Sequence, residues 1–123
     1  MQLTKNFKKA EFDSKDGACM PNDVLQNIAN LAKEIQVIRD TAGVSITINS
    51  GYRSPAHNKK IGGVADSQHV KGKAADLNPK GMTPKQLYNV IIKLINEGKI
   101  YNGGVGLYPT FVHYDIGGKG RRW

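Results

Sequence analysis

Two of the three histidines in this chain stand close to carboxylates in patterns suited to binding a metal ion. His69 ends a polar, glycine-rich stretch, and Asp76 follows seven positions later in a segment with the character of a strand. Gly72 lies between them and permits a sharp bend, so the chain can leave a metal ion at His69 and return to it at Asp76. A carboxylate in an otherwise apolar strand is costly unless it is paired or bound to a metal.

The second group of polar residues lies in Phe111–Ile116, whose alternation predicts a β-strand. Phe111, His113 and Asp115 would share one face of this strand, and the other face would join the core. Two imidazoles and one carboxylate suit catalytic zinc, because three protein ligands leave a fourth position for water. The residues alone leave a second interpretation open, in which both histidines are ordinary polar residues and Asp76 caps a turn.

The remaining reactive residues narrow the choice of chemistry. The single cysteine, Cys19, excludes an internal disulfide and a cysteine-based zinc site. We expect Cys19 to be a half-buried small residue near the N-terminus. The third histidine, His57, is interpreted as a residue at the start of a helix or at the rim of the site, with a substrate contact as the alternative. Any metal must therefore use histidine and carboxylate ligands.

Two long helices are predicted to support these residues. The first runs from about Asn22 to Asp40, because its apolar residues recur in alternating steps of four and three. Asn22 or Asp23 would cap its start, and Gly43 would end it. The second runs from about Pro84 to Glu97 and begins with a capping-box pattern. The predicted buried faces comprise Val24, Ile28, Leu31, Ile35 and Ile38 in the first helix, and Leu87, Ile91, Leu94 and Ile95 in the second.

Short strands and one long loop complete the predicted fold. The strand candidates are Ser45–Asn49, Lys73–Asn78, Gly104–Tyr108 and Phe111–Ile116. Ser50–Gly72 reads as a loop with one helical turn near 56–61, and a loop of this length is uncommon unless it is functional. The expected class is α+β, with two main helices packed on a small, mostly antiparallel sheet. One domain would span residues 1–123.

Composition and charge describe a globular protein with an anionic partner. The chain has a net charge of +8, which favours attraction to an acidic polymer or surface. Its basic residues are dispersed and do not form a dense tract with interleaved aromatics, so no specific nucleic-acid partner is expected. No segment has the apolar length of a signal peptide or a membrane span. We expect a cytoplasmic protein, a mature form, or one released by other means.

Several motifs resemble those of one enzyme family. Ser67-x-His69-x-x-Gly72-x-Ala74-x-Asp76 closely resembles the first zinc motif of the M15 peptidases, the D-alanyl-D-alanine carboxypeptidases and related endopeptidases. Gly104–Tyr108 followed by Phe111–Asp115 resembles the second metal motif, and Ile48–Pro55 resembles the substrate-side loop. The resemblance spans nearly the whole chain and extends to residues near both ends, namely Asn6-Phe7, Glu11-Phe12 and Arg122-Trp123.

The resemblance assigns roles to individual residues. It implies a fold of the hedgehog and D-Ala-D-Ala peptidase type, in which His69, Asp76 and His113 bind one Zn²⁺ per chain. Arg53 would face the substrate and hold a carboxylate or the developing oxyanion, with a surface salt bridge as the alternative. Ser67 would hydrogen-bond the substrate backbone, unless it is only a turn residue.

One position departs from the family pattern. Many relatives carry an acidic general base three positions before the last zinc histidine, and this chain has Thr110 there, which cannot take a proton at neutral pH. Asp115 is the predicted substitute because it shares a strand face with His113. The alternative is that Asp115 orients a metal ligand or Arg53 through a hydrogen bond. Tyr108 is predicted to line the substrate cleft, with packing in the core as its alternative.

The implied function is zinc-dependent hydrolysis of peptide bonds in bacterial peptidoglycan. The enzyme would be a D-Ala-D-Ala carboxypeptidase or an endopeptidase of stem peptides or cross-bridges, and we expect a monomer. Small members of this type are frequent in bacteriophage genomes, so an endolysin is one expected role. It would act at the cell wall after release or export, from the host cytoplasm if it is phage-encoded. The alternative is a catalytically inactive zinc module that binds the cell wall or forms part of a phage tail.

Overall fold

A four-stranded antiparallel sheet forms the centre of the computed structural model, which describes residues 1–123. Its strands are β1 (Ile46–Ser50), β2 (Ala74–Pro79), β3 (Gly104–Leu107) and β4 (Val112–Asp115). Their order across the sheet is β1-β2-β4-β3, and each neighbouring pair is antiparallel. The last strand in the sequence, β4, therefore lies in the interior of the sheet. All four strands were predicted, with bounds that differ by at most one residue.

Two long helices pack with this sheet, which confirms the predicted α+β class. The helices are α1 (Asn22–Ala42), α2 (Pro55–Lys60) and α3 (Pro84–Asn96), and a short 3-10 helix covers Lys9–Phe12. The short α2 occupies the region in which one helical turn was expected. None of the helices combines the length and the apolar character that a bilayer crossing requires.

The ends of α1 show one confirmed and one wrong prediction. Gly43 follows the helix in the left-handed conformation, with a φ of 71°, and its N–H donates to the carbonyl of Arg39. The residue before the helix is Pro21, so neither Asn22 nor Asp23 caps it. Both lie inside the first turn because the chain is still extended at Pro21. There Asp23 places a negative charge near the positive end of the helix dipole.

The start of α3 follows its sequence pattern. The hydroxyl of Thr83 accepts a hydrogen bond from the amide of Gln86 at 3.1 Å, and the Gln86 side chain accepts one from the Thr83 amide at 2.8 Å. This reciprocal capping box satisfies two amides that the helix itself leaves unpaired. Pro84 occupies the first turn, where its missing N–H costs nothing.

The two faces of the sheet have different roles. Ala75 and Leu77 of β2 and Tyr114 of β4 point into one apolar core, which also contains all the predicted buried residues of α1 and α3. The opposite face carries the polar residues of β2 and β4. Cys19 is exposed, contrary to our expectation, because Met20 beside it is the residue that packs against the core.

Candidate metal centre

The three predicted metal ligands lie together on the polar face of the sheet. Asp76 of β2 and His113 of β4 are direct partners in the strand register, which places a carboxylate beside an imidazole. His69 lies in the loop that leads into β2. One potential ligand atom from each of the three residues lies within 4.8 Å of the others, and all three side chains belong to buried residues. This arrangement could hold a metal ion.

The Asp76 carboxylate is the point on which both imidazoles converge. Its Oδ1 atom is 3.2 Å from Nδ1 of His113 and 3.4 Å from Nε2 of His69. The centroids of the two imidazole rings are 5.3 Å apart, and the rings meet edge to face. Two nitrogens and one carboxylate oxygen therefore face a common centre.

Hydrogen bonds on the far side of each ring determine which nitrogen is free to bind a metal. Nδ1 of His69 lies 2.8 Å from the carbonyl oxygen of Gly51 and Nε2 of His113 lies 2.7 Å from Oδ2 of Asp115. A carbonyl oxygen and a carboxylate only accept hydrogen bonds, so each of these nitrogens carries the proton. When a metal is bound, the neutral rings would direct the lone pairs of His69 Nε2 and His113 Nδ1 toward the centre that they share with Asp76. This donor set fits a zinc ion.

Electrostatics within the cluster favour a proton at the metal position when no metal competes. Burial raises the pKa of Asp76, but hydrogen bonds from His113 and His69 and the charges of both rings outweigh it and lower the pKa overall. Burial lowers the pKa of His113, but hydrogen bonds and charges from Asp115 and Asp76 hold that pKa above its usual range. A metal ion must displace this proton in order to bind.

Asp115 is fully buried, and both of its oxygens are engaged. Oδ2 accepts from His113, while Oδ1 accepts from the amides of Gly104 at 3.1 Å and Gly117 at 3.0 Å and from the Arg121 guanidinium. Burial raises the pKa of Asp115, but the hydrogen bond and charge of His113 and the two amides lower it overall. The His113 ring stands between Asp115 and the metal-facing side. These contacts favour a role for Asp115 in orienting the ligand His113 over a role as general base.

Arg53 lies beside the metal-facing carboxylate. Its Nη2 atom is 3.7 Å from Oδ2 of Asp76, and the guanidinium also donates to Ser50 at 3.3 Å and Asn58 at 3.4 Å. The backbone amide of Arg53 donates to the carbonyl of His69 at 3.1 Å. The loop that carries the cation is thus joined to the loop that carries a ligand, and Arg53 lines the same cavity as the three ligands.

The other predicted site residues differ in their positions. The buried Ser67 accepts a hydrogen bond from the amide of His69 at 3.2 Å, so it shapes the turn that presents this ligand. It lines a neighbouring cavity and not the one around the three ligands. Tyr108 lines the ligand cavity and is partly exposed rather than packed in the core. Thr110 is exposed in the turn between β3 and β4.

Two residues that the sequence did not single out for the site also belong to it. The indole of Trp123 lies against His113, with ring centroids 4.9 Å apart, and lines the cavity that contains the three ligands. Arg121, which belongs to the same segment as Trp123, forms an ion pair with Asp115. No local spacing could have revealed either contact, because both depend on an isolated bridge that aligns Arg122 with Val105 of β3.

A family model matches most of the chain. The family is described as Peptidase M15, and the match covers residues 3–115. These residues include the three candidate ligands, Arg53 and Asp115, whereas Arg121 and Trp123 lie beyond the matched range. No curated protein sequence matches the chain significantly.

Proposed function

This chain belongs to the peptidase M15 family, a family of metallopeptidases, and we propose that it is a zinc-dependent hydrolase of peptides in bacterial peptidoglycan. The proposal is supported above all by the convergence of His69, Asp76 and His113, whose free lone pairs face one centre beside Arg53. A bound zinc ion would supply Lewis-acid polarisation of the scissile carbonyl and activation of water.

The protein supplies orientation and charge around that centre. Gly51 and Asp115 hold the two histidines in the tautomers that leave one nitrogen free for the metal. Arg53 is placed to bind a substrate carboxylate or the oxyanion that develops on the carbonyl, because its guanidinium lies beside the ligand Asp76. We propose that Asp115 positions His113 and that Ser67 and Tyr108 contact the peptide near the scissile bond.

The decisive experiment is incubation of the zinc-loaded protein with purified peptidoglycan. We expect the protein to generate new amino groups by hydrolysis. This activity should be absent when a chelator is added and in His113→Ala. His57→Ala is the matched control, because it removes the one histidine that does not line the cavity. Mass spectrometry of the products identifies the bond: free D-alanine indicates a carboxypeptidase, and longer fragments indicate an endopeptidase.

A second function is favoured by two observations. Thr110 occupies the position at which many relatives carry an acid, and the carboxylate of Asp115 is fully engaged by other groups. Both features suit an inactive zinc module that binds the cell wall or forms part of a phage tail. A protein with one zinc ion per chain that binds peptidoglycan without cleaving it would support this function over the first.

The place of action follows from charge and from the proposed substrate. We propose that the monomer, with its net charge of +8, associates with the anionic cell envelope once it has been released or exported. A phage-encoded endolysin would reach the wall from the host cytoplasm. Its expression together with a pore-forming protein should then lyse the bacteria, and intact cells would contradict this role.

A further inference from the structure

The segment Arg121–Trp123 extends the sheet beside β3. The amide of Val105 donates to the carbonyl of Arg121 at 2.9 Å, and the amide of Trp123 donates to the carbonyl of Val105 at 3.0 Å. The amide of Leu107 in turn donates to the carbonyl of Trp123 at 2.8 Å. These bonds form a short parallel pairing and fix the backbone from which the Trp123 side chain projects.

The strand beneath this segment leaves room for the indole. Gly106 is the register partner of His113, and a Cβ atom at Gly106 would overlap the indole ring of Trp123. The ring can therefore lie over β3 and reach His113 only because position 106 has no side chain. Nε1 of Trp123 donates to the hydroxyl of Tyr108 at 2.7 Å, which fixes the ring's rotation.

Two large aromatic rings remain partly exposed at the edge of the metal cavity. Trp123 is 47% exposed and Tyr108 is 36% exposed, although each has packed neighbours. Tyr108 stacks on Phe111 with ring centroids 4.5 Å apart and an angle of 9° between the planes. Rigid aromatic rings with one polar atom already paired offer their remaining apolar surface to a ligand.

We infer that Trp123 and Tyr108, together called the aromatic wall, bind the substrate residue next to the scissile bond through its small alkyl side chain and its flat peptide group. This inference rests on the proposed function. Because the indole N–H is paired with the Tyr108 hydroxyl, the wall presents mainly apolar ring surface, and charge on the substrate is left to Arg53. The aromatic wall is thus a specificity-determining part of the cavity.

Binding can be observed directly, because Trp123 is the only tryptophan in the chain. Its fluorescence should change saturably when the zinc-loaded protein is mixed with a synthetic stem peptide that ends in D-alanyl-D-alanine. A peptide-free glycan disaccharide should leave the fluorescence unchanged. An unchanged signal with the peptide, or a response to the glycan alone, would overturn the inference whether or not the protein is an enzyme.

Specificity gives a second readout that a purely structural role would not change. The wild-type protein should prefer a peptide with alanine next to the cleaved bond over its glycine analogue by about tenfold. Trp123→Ala should lose most of this preference and raise KM, whereas Trp123→Phe, which keeps an aromatic face, should retain part of it. Tyr101→Ala removes an exposed aromatic side chain that does not line the cavity and should change neither quantity.

The outcomes separate this inference from the proposed function. If Trp123→Ala still turns over substrate and keeps its preference for alanine, the peptidase function would stand and the role inferred for the aromatic wall would be overturned. Saturable fluorescence quenching by the peptide without any turnover would support the wall in a binding module. Zinc content and thermal unfolding of each variant show whether it has folded, and Trp123→Phe keeps the test decisive if Trp123→Ala does not fold.

Discussion

Each histidine of the metal centre keeps one nitrogen for the metal because a hydrogen-bond acceptor holds the other. For His69 the acceptor is the backbone carbonyl of Gly51, a main-chain group that the exchange of a side chain does not remove. For His113 it is the side chain of Asp115, which can be replaced. The two ligands therefore differ in how readily their orientation can be disturbed by mutation.

Asp115→Asn distinguishes a positioning residue from a general base. The amide has nearly the same shape but loses the charge that balances Arg121 and His113. We expect zinc affinity to fall by about 10- to 100-fold, measured by competition with a chromophoric chelator. A general base would instead show normal zinc affinity and a reduced kcat. Asp66→Asn, which removes an exposed carboxylate from the neighbouring cavity, should leave zinc affinity unchanged.

Arg53→Lys tests the group assigned to the substrate. Lysine keeps the positive charge but loses the planar guanidinium, which also donates to Ser50 and Asn58. We expect kcat/KM to fall by about 10²- to 10³-fold while zinc stoichiometry is retained, as for loss of an oxyanion donor. Steady-state kinetics with metal analysis of the same sample checks both parts. Lys59→Arg, in the nearby helix α2, is the control for exchanging one cationic side chain for another. Normal activity in Arg53→Lys would exclude the role proposed for Arg53.

Among the elements, the substrate-side loop is held by a small polar cluster that lies outside the metal cavity. Asp16 accepts hydrogen bonds from the hydroxyls of Ser14 and Ser54, each at 2.6 Å. Ser54 also accepts from the amide of His57 and so caps α2 directly after Arg53. The cluster joins the segment before α1 to the loop that carries the proposed substrate cation.

This cluster makes stability depend on pH in a defined direction. Hydrogen bonds from Ser14, Ser54 and the amide of Ala18 lower the pKa of Asp16 to about 2, from 3.8 for a free side chain. A lowered pKa means that the stabilisation is complete above about pH 4 and is lost as the pH falls toward 2. Asp16→Asn should therefore be less stable at pH 7, and the difference from wild type should shrink below pH 4.

Denaturant unfolding at a series of pH values measures this difference. Asp66→Asn removes an exposed carboxylate elsewhere and should follow the wild-type curve. A difference between Asp16→Asn and wild type that stays constant from pH 7 to pH 2 would contradict the assignment to the ionised carboxylate. Because Ser54 of this cluster directly follows Arg53 in the chain, we also expect kcat/KM of Asp16→Asn to fall more than its zinc affinity.

Local sequence patterns predicted the helices and strands well. The features that these patterns missed depend on contacts between segments that are distant in the chain. The faces of α1 and α3 and the alternation of β4 depend on neighbours within each element, so their periodicity is visible in the sequence. The pairing of Asp76 with His113 depends on register between strands that lie far apart in the chain. The resemblance to a family supplied this pairing, but it said nothing of Trp123 against His113 or of Asp16 against Ser54. Pro21 shows the same limit at a helix end, because the last extended residue decides where α1 begins.

In the molecule as a whole, the metal centre brings together residues that are separated in the chain. His69 comes from the long loop, and the other two ligands come from neighbouring strands, so an unfolded chain does not present the three together. Zinc should therefore stabilise the folded protein. At a thousandfold excess of zinc over its dissociation constant the gain is about 4 kcal/mol.

This gain predicts a measurable rise in melting temperature. We expect zinc to raise Tm by roughly 10 °C or more over the chelator-treated protein, given the usual dependence of Tm on stability for domains of this size. Differential scanning calorimetry of both forms measures the shift. His113→Ala should show little response and His57→Ala a full one; an equal rise in both variants would show that zinc binds elsewhere.

The interior position of β4 has a consequence for synthesis of the protein on the ribosome. β2 and β3 emerge before β4. Until β4 is available to pair with both, β2 is paired only with β1 and β3 has no strand partner. His113 and Asp115 arrive with the same strand, so sheet closure and assembly of the metal centre coincide. A product of premature termination before Val112 would have exposed strand edges and no complete ligand set. Synthesis must therefore reach β4 before the three candidate ligands can come together, and products that stop short of β4 would be open to proteolysis.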